Sequence, residues 1–530
     1  MKNNVIKYIF FVIIAILLVF AVYKVNKNKS ENGGISGESN IAKPQEITKE
    51  IKLAIAELDS INPLISKNKN VQEVNKLIFE PLVNITQDYK AEPYLATEWA
   101  KADGNSYIVK LREDVKWSNG EKFNSEDVRF TIDRLKEIQS IYSNNVQFVT
   151  GVDIVDENTV KIKLDRNIPF FEYNLSFPIM SKAYYDGENF TNTEKNRSPI
   201  GTGMFKISEV TESNIILEKN DNWWNIKNKN SVLEKITINT NSSMAEVYNS
   251  FKMGNIDFVN TSNLNFTDYV GTLGYSTKEY QGREHGFLAL NNKSGLLSNI
   301  EVRKAILAGI DKNNIVGNVY GGKYYTSSFP LSYGSWLDNK EDGNSTYSVE
   351  NANKILDGAG WTLRRGVRQK NINHKTQKLV INLLVKSSDS NRVNVANVIQ
   401  NQLAQIGIGV NIQPVGDAQF NTNLNSKAYD MALVVSDVSI SPDLTTYFGD
   451  NNMANYENKE VSDIMKEVSN STDENILKEK YKRLKEIYKS DVPYISLYFS
   501  KNIAIYNTSL AGEVNPNWYN LFYNIENWYK

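Results

Sequence analysis

The side chains that most often do covalent or metal chemistry are scarce in this sequence. There is no cysteine, and there are two histidines, His285 and His374, far apart in the chain. Without cysteine there are no disulfides, no thiolate nucleophile, no Cys-ligated zinc and no thioether lipid at an N-terminal Cys. Two histidines do not make a His-rich metal site. A Ser-His-Asp triad would need one of them, and no G-x-S-x-G motif supports it. No phosphate-binding glycine loop is present. The carboxylates, by contrast, are abundant, and so are aromatic residues, with 29 Tyr, 21 Phe and 8 Trp. This inventory suits reversible, non-covalent capture better than catalysis. Flat rings give contact area at low entropic cost, although most of them belong in cores and strands. The expectation is therefore a protein that is not an enzyme and needs neither metal nor cofactor.

The rest of the sequence must position such a site. A chain of 530 residues exceeds one hydrophobic core, so two or three lobes are expected. Hydrophobic residues at 41% and charged residues at 23% are ordinary globular values. A net charge of −1 gives no reason to expect nucleic acid as a partner. The run Tyr8 to Tyr23 is apolar or aromatic throughout, with Lys7 and Lys24 at its ends. At 1.5 Å per residue it spans roughly 24 Å, short of a hydrocarbon core of about 30 Å, and the flanking lysines can snorkel to extend it. Ala21-Val22-Tyr23 lacks the small-x-small pattern of a leader cleavage site. Residues 1–25 are thus expected to be a retained single-pass anchor that holds the body at the extracellular face of the cell membrane. The alternative is a cleaved leader and a secreted protein. Residues 26–47, rich in Asn, Lys, Ser and Gly, read as a flexible tether.

Beyond the tether, period-two and period-3.6 patterns alternate. "IKLAIA" is a strand. "NVQEVNKLIFEPL" puts Val71, Val74, Leu77 and Ile78 on one helical face, with Asn70 as N-cap. "NSEDVRFTIDRLKEI" is an amphipathic helix capped by Asn124 or Ser125, lying between the strands "SYIVKLR" and "TVKIKL". "MFKISEV" and "NIILEKN" form a hairpin. From "LVINLLV" to "YDMALVV", strands alternate with helices, which implies a mainly parallel sheet under helices. "RRGVRQKNINHKTQK", with His374, reads as a basic exposed loop.

Several of these segments, in this order, resemble the extracellular solute-binding proteins of peptide and nickel uptake systems. They are "YIVKLREDVKWSNGEKFNSEDVRFTIDRL", "PIGTGMFKISEV" with "IILEKNDNWW", "NIEVRKAILAGIDKNNIVGNVYGG", "ANKILDGAGW", "LAQIGIGVNIQPV", "YDMALVVSDVSISPDLTTYF" and "DVPYISLYFSKNIAIYN". The resemblance covers about residues 48–510. It implies an α/β, periplasmic-binding-protein-like hinge fold with two main lobes and a third, smaller one. Lobe I would comprise 48–83, 199–290 and 490–530, lobe II 84–198, and lobe III 291–489. Ligand would lie between lobes I and III, which close on it. The partners implied are a peptide ligand and the permease and ATPase subunits of an ABC importer, with the receptor acting as a monomer. A metal chelate on the same scaffold, or a peptide-sensing signalling role, are the alternatives.

The resemblance also nominates residues. In peptide-binding members an Asp shortly before a D/E-P segment holds the ligand ammonium. Here "LVVSDVSISPD" offers Asp437, with Asp443 as competitor. Four residues separate Asp437 from Pro442 where the family usually has three, and Val435-Ser436 replace the usual Gly-Trp. The alternative is that both carboxylates cap a turn. "YQGREHGFLALN" would run near the cleft. Arg283 suits a ligand carboxylate by bidentate pairing, or else an interlobe salt bridge. His285 suits a chelate, or else a hydrogen-bonded place in the core. Tyr280 would add contact area. Trp117 and "NDNWW" are expected to be structural.

Overall fold

The structure is a computed structural model that describes residues 49–227, 232–262, 269, 271–337 and 347–530. The expected anchor (1–25) and tether (26–47) lie outside the described residues. Among the described residues no helix is long and apolar enough to cross a membrane.

Three sheets carry most of the chain. The first joins Glu50–Ala56, Lys235–Asn241, Asn214–Lys219 and Phe205–Val210, in that order. Its first two strands are parallel although 187 residues part their hydrogen-bonded Thr237 and Glu50. The second is an antiparallel sheet of Ala96–Ala102, Ser106–Leu111, Thr159–Leu164 and Val149–Asp156, covered by the helix Ser125–Glu137. That helix starts where its sequence says. Asn124 caps it in a reciprocal box with Asp127, and Val128, Ile132 and Leu135 are buried. The expected cap at Asn70 shifts by two residues. Asn68 is in extended backbone and accepts from Asn70 N, so the helix runs Lys69–Asn75, and Leu77 and Ile78 are buried beyond its end.

The third sheet has seven strands and is mixed rather than mainly parallel. Val380–Lys386, Gly409–Val415 and Met431–Asp437 are its parallel part, in the order second, first, third. The helix Ser390–Ala404 packs on one face with Ile381, Leu383 and Val385. The helix Asp417–Asn425 puts Phe420 on the other face with Leu384 and Ala432. The antiparallel part is the long pair Tyr275–Leu290 and Tyr494–Asn507. Aromatic and β-branched alternation over 14 residues lets the latter serve two cores in turn. Its Ile495 and Leu497 join the core of the parallel strands, while Ile503 and Ile505 pack with Ala56 and Phe251. Between these ends the register slips from Gln281↔Lys501 to His285↔Phe499. This bulge is where the chain crosses from one core to the other.

The segment expected to be an exposed loop is a three-stranded meander, Thr362–Arg364, Val367–Ile372 and Lys375–Lys378. His374 sits exposed in its turn at φ 61°, as the polar sequence implies. Arg368 does not follow the pattern, being 3% exposed. Its guanidinium donates to Ile406 O at 2.8 Å and pairs with Asp357 at 2.6 Å, locking the meander onto the "ANKILDGAGW" helix.

The other motif residues are also construction. The carbonyl of Ile78 lies 1.9 Å from a Cβ built on Gly201 and 2.7 Å from one on Gly203, so "GTG" is a close backbone crossing. Trp223 and Trp224 both donate their indole N–H to the buried carboxylate of Glu80, at 2.8 and 3.0 Å. Burial pushes the Glu80 carboxyl up to about 7, and these donors oppose the rise. Trp117 is buried and donates to Asp127, which also accepts from Asn124 N and Lys182 N. Arg303 of "VRKAI" is buried and donates to the carbonyls of Leu297, Asp491 and Val492.

Candidate functional site

The parallel strands reverse their order at Val380–Lys386, with one neighbour on each side. In open α/β sheets the crevice outside the carboxyl ends at such a reversal is the usual ligand site. Asp437 ends the third parallel strand at that edge. Register with Val380–Lys386 covers Met431 and Ala432. The stretch Leu433–Asp437 runs past those pairs, and the Asp437 side chain is 55% exposed.

Asp437 meets Arg283, the other charged candidate. Arg283 Nη1 lies 3.8 Å from Asp437 Oδ2, a loose ion pair with both side chains about half exposed. The guanidinium also lies 5.0 Å over the Trp518 ring and 3.4 Å from Val438 O. Trp518 in turn stacks on Tyr89, with centroids 5.3 Å apart, and donates its Nε1 to Ser332 Oγ. Segments distant in sequence thus converge on one charged, aromatic wall. An exposed pair of this kind contributes roughly 0–1 kcal/mol to folding, so its charges are available at little cost.

The remaining candidates go elsewhere. Asp443 Oδ1 accepts from Thr445 N at 2.9 Å and from Thr445 Oγ1 at 2.6 Å, a turn at the start of Thr445–Phe448. The turn is pinned by buried Tyr481, whose hydroxyl donates to Pro442 O. His285 is fully buried between Phe287 and Phe499, and its Nδ1 lies 3.2 Å from the Tyr447 hydroxyl. Burial, helped by nearby Lys312, holds its imidazolium pKa down to about 3, so the ring is neutral. Among the described residues no group of three or more His, Cys, Asp or Glu is placed to hold a metal ion. Tyr280 is buried, its hydroxyl donates to Asn260 Oδ1, and burial raises its pKa.

Tyr280 does line a concavity of about 530 Å³, together with Tyr89, Gln281, Tyr333 and Asn517. It adjoins the Arg283–Trp518 wall through Gln281 and Asn517, chain neighbours of that wall. Tyr89, Gln281, Tyr333, Asn517 and Trp518 were not among the sequence candidates. For Tyr89, Asn517 and Trp518 the one signal was density of aromatic and amide residues in "NPNWYNLFYN" and "TQDYK".

The sequence profile of the bacterial extracellular solute-binding proteins, family 5, matches residues 90–499. This chain belongs to that family. Among family-5 relatives it is 24% identical to the oligopeptide-binding protein AppA of Bacillus subtilis, over 97% of this chain and 98% of the relative. It is 27% identical to the nickel-binding periplasmic protein of Escherichia coli, over 70% of this chain and 71% of that protein. The fold is similar to that of HbpA2 from Haemophilus parasuis, with a TM-score of 0.74, 21% identity, and coverage of 87% of this chain and 96% of the other. The family-5 assignment gives the motif residues their meaning. Glu80, Asp127, Arg303 and Arg368 hold the scaffold of this chain together.

Proposed function

We propose that this chain is the substrate-binding component of an ABC importer that captures peptides by hinge closure and hands them to a membrane permease. Ligand would lie between lobe I (48–83, 199–290 and 490–530) and lobe III (291–489), with lobe II (84–198) beside them. The crossing of two cores by Tyr275–Leu290 and Tyr494–Asn507 supports a hinge there. The observation that carries the reading is the half-exposed Asp437 carboxylate at the end of a strand that runs past its pairing with a parallel neighbour. A peptide has an ammonium for the carboxylate and main-chain groups for the strand edge. Arg283, freed from its loose pair by an incoming ammonium, is left to meet an anionic group. The oligopeptide-binding relative supports the same ligand class.

Calorimetry on the purified body tests this with free peptides, the same peptides N-acetylated, and nickel–amino acid complexes. Free peptides are expected to bind with micromolar or tighter affinity, and acetylation is expected to weaken binding at least about tenfold. Binding of the nickel complexes alone would replace the peptide reading with chelate capture. We further propose that residues 1–25 anchor the receptor at the outer face of the membrane. N-terminal sequencing of the mature protein should then begin at Met1, and a start near residues 22–30 would make the segment a leader.

A further inference from the structure

The meander that runs from Thr362 to Lys378 carries charge of one sign. Arg364, Arg365, Arg368, Lys370, Lys375 and Lys378 lie in it, and no Asp or Glu does. The whole chain has a net charge of −1, so this is a local concentration and not the mark of a basic protein. Two of these cations have structural work. Arg368 is buried and pairs with Asp357, and Lys370 Nζ donates to Ala359 O at 2.8 Å. The others, Arg364, Arg365, Lys375 and Lys378, are exposed, and no ion pair joins them to a carboxylate among the described residues.

The sheet sets where they stand. Arg364 pairs with Val367 and Lys378 with Gln369, and partners in register share a face. Val367 and Gln369 are alternate residues of the middle strand, so Arg364 and Lys378 are on one face. Arg368 lies on the other face, the one packed on the molecule, which makes the Arg364–Lys378 face the outer one. The turns add the rest. Arg365 is in the first turn at φ 50°, and Lys375 leaves the second turn opposite Ile372. Each end also exposes an aliphatic side chain, with Leu363 54% and Ile372 43% exposed. Cations mixed with exposed aliphatics suit a phospholipid interface, where headgroup phosphates take the charges and the acyl boundary takes the hydrocarbon. A soluble polyanion would answer the charges and leave the aliphatics in water. The length of chain ahead of the fold points the same way. Residues 26–48 span at most about 80 Å fully extended, so an anchored body is confined to a layer of that depth. Within it, a weak second contact with the bilayer is effectively intramolecular.

We propose that the outer face of this meander docks on anionic phospholipid headgroups of the membrane that holds residues 1–25. The proposal rests on the anchor reading above and is independent of which ligand the receptor binds. Docking would restrict the tethered receptor to the plane in which its permease lies.

The chain has no cysteine, so a single introduced one can be labelled selectively. The test uses full-chain protein carrying Gln369→Cys, inserted into nanodiscs of phosphatidylcholine alone or with phosphatidylglycerol. Energy transfer from a fluorophore on the cysteine to a lipid-borne acceptor reports how near the outer face lies to the headgroups. Transfer is expected to rise at least about twofold with phosphatidylglycerol. The rise should vanish at about 1 M salt, where the Debye length is about 3 Å. Arg364→Gln, Arg365→Gln, Lys375→Gln and Lys378→Gln should each lower the ratio of docked to free receptor by up to about fivefold, and together abolish the rise. These side chains are exposed, so the melting temperature should change little. Inserted protein with equal transfer in both lipids, or a rise that survives all four substitutions, would overturn the proposal and leave the anchor reading standing. A label that responds to dissolved polyphosphate and not to phosphatidylglycerol would assign the face to a soluble polyanion and overturn it too. A full chain that does not insert would overturn both the proposal and the anchor reading.

Discussion

The surroundings of Glu80 and the wall at Arg283–Asp437 treat polar groups in opposite ways. Glu80 is buried, and both its oxygens receive indole N–H donors from consecutive tryptophans. At the wall the charges are half exposed and joined by one contact of 3.8 Å, and the nearby NH2 groups of Gln281 and Asn517 have no protein partner among the described residues. The first region has spent its hydrogen bonds on folding and has none for a ligand. The second has kept them. A binding protein needs both, because a site can remain unsatisfied only on a scaffold stabilised elsewhere.

The contrast breaks if a scaffold substitution alters ligand affinity, or if a wall substitution unfolds the protein. The largest loss of stability is expected from Gly201→Ala, whose Cβ would sit 1.9 Å from Ile78 O. Urea denaturation should show a loss of about 4 kcal/mol or more, since backbone must move on both sides. Arg303→Met follows, with a loss of about 3 kcal/mol, because it orphans the buried carbonyl of Leu297 and the partly buried one of Asp491. Where the folded fraction is measurable, both variants should bind ligand with parental affinity.

Glu80 supplies a pH-dependent version of the same test. Its carboxyl titrates at about 7 in the folded protein against a usual 4.5, so between these values the folded state holds the extra proton. Its contribution to stability is therefore full below pH 4.5 and is lost as pH rises through about 7. His285 works the other way. It titrates at about 3 instead of 6.5, so its contribution is present above pH 6.5 and is lost as pH falls toward 3. Glu80→Gln should remove only the first trend. The difference in stability between variant and parent should change by on the order of 2–3 kcal/mol between pH 4.5 and 8, in favour of the variant at the alkaline end. Asp437→Asn is expected to have the smallest effect on stability, under about 1 kcal/mol. It should nevertheless weaken peptide binding at least about tenfold, and it sharpens the contrast if both hold.

Much of the scaffold was legible because local rules and tertiary roles agree there. The Asn124–Asp127 box, the hairpin Phe205–Lys219 and the strand–helix alternation after Val380 each carry a period or a cap readable within a few residues. The mixed character of the large sheet was not legible, since it depends on pairing Tyr275–Leu290 with a strand about two hundred residues later. Arg368 hid inside a basic stretch because burial of a guanidinium depends on carbonyls supplied by other segments. At the site, the family pattern led to Asp437 and Arg283, and the structure brings those two together. It places His285 in an aromatic core and gives Asp443 to a turn, roles fixed by neighbours such as Tyr447 and Thr445. Gln281 and Asn517 carry no motif. Their unused donors become visible only when the partners of their oxygens are known.

Mass spectrometry of ligand retained by the protein on purification tests the central claim most directly. The account predicts bound masses that fragment as peptides of varied sequence and that are depleted in Asp437→Asn. A single metal-chelate mass, or a clean protein that also ignores an added peptide pool, would contradict it.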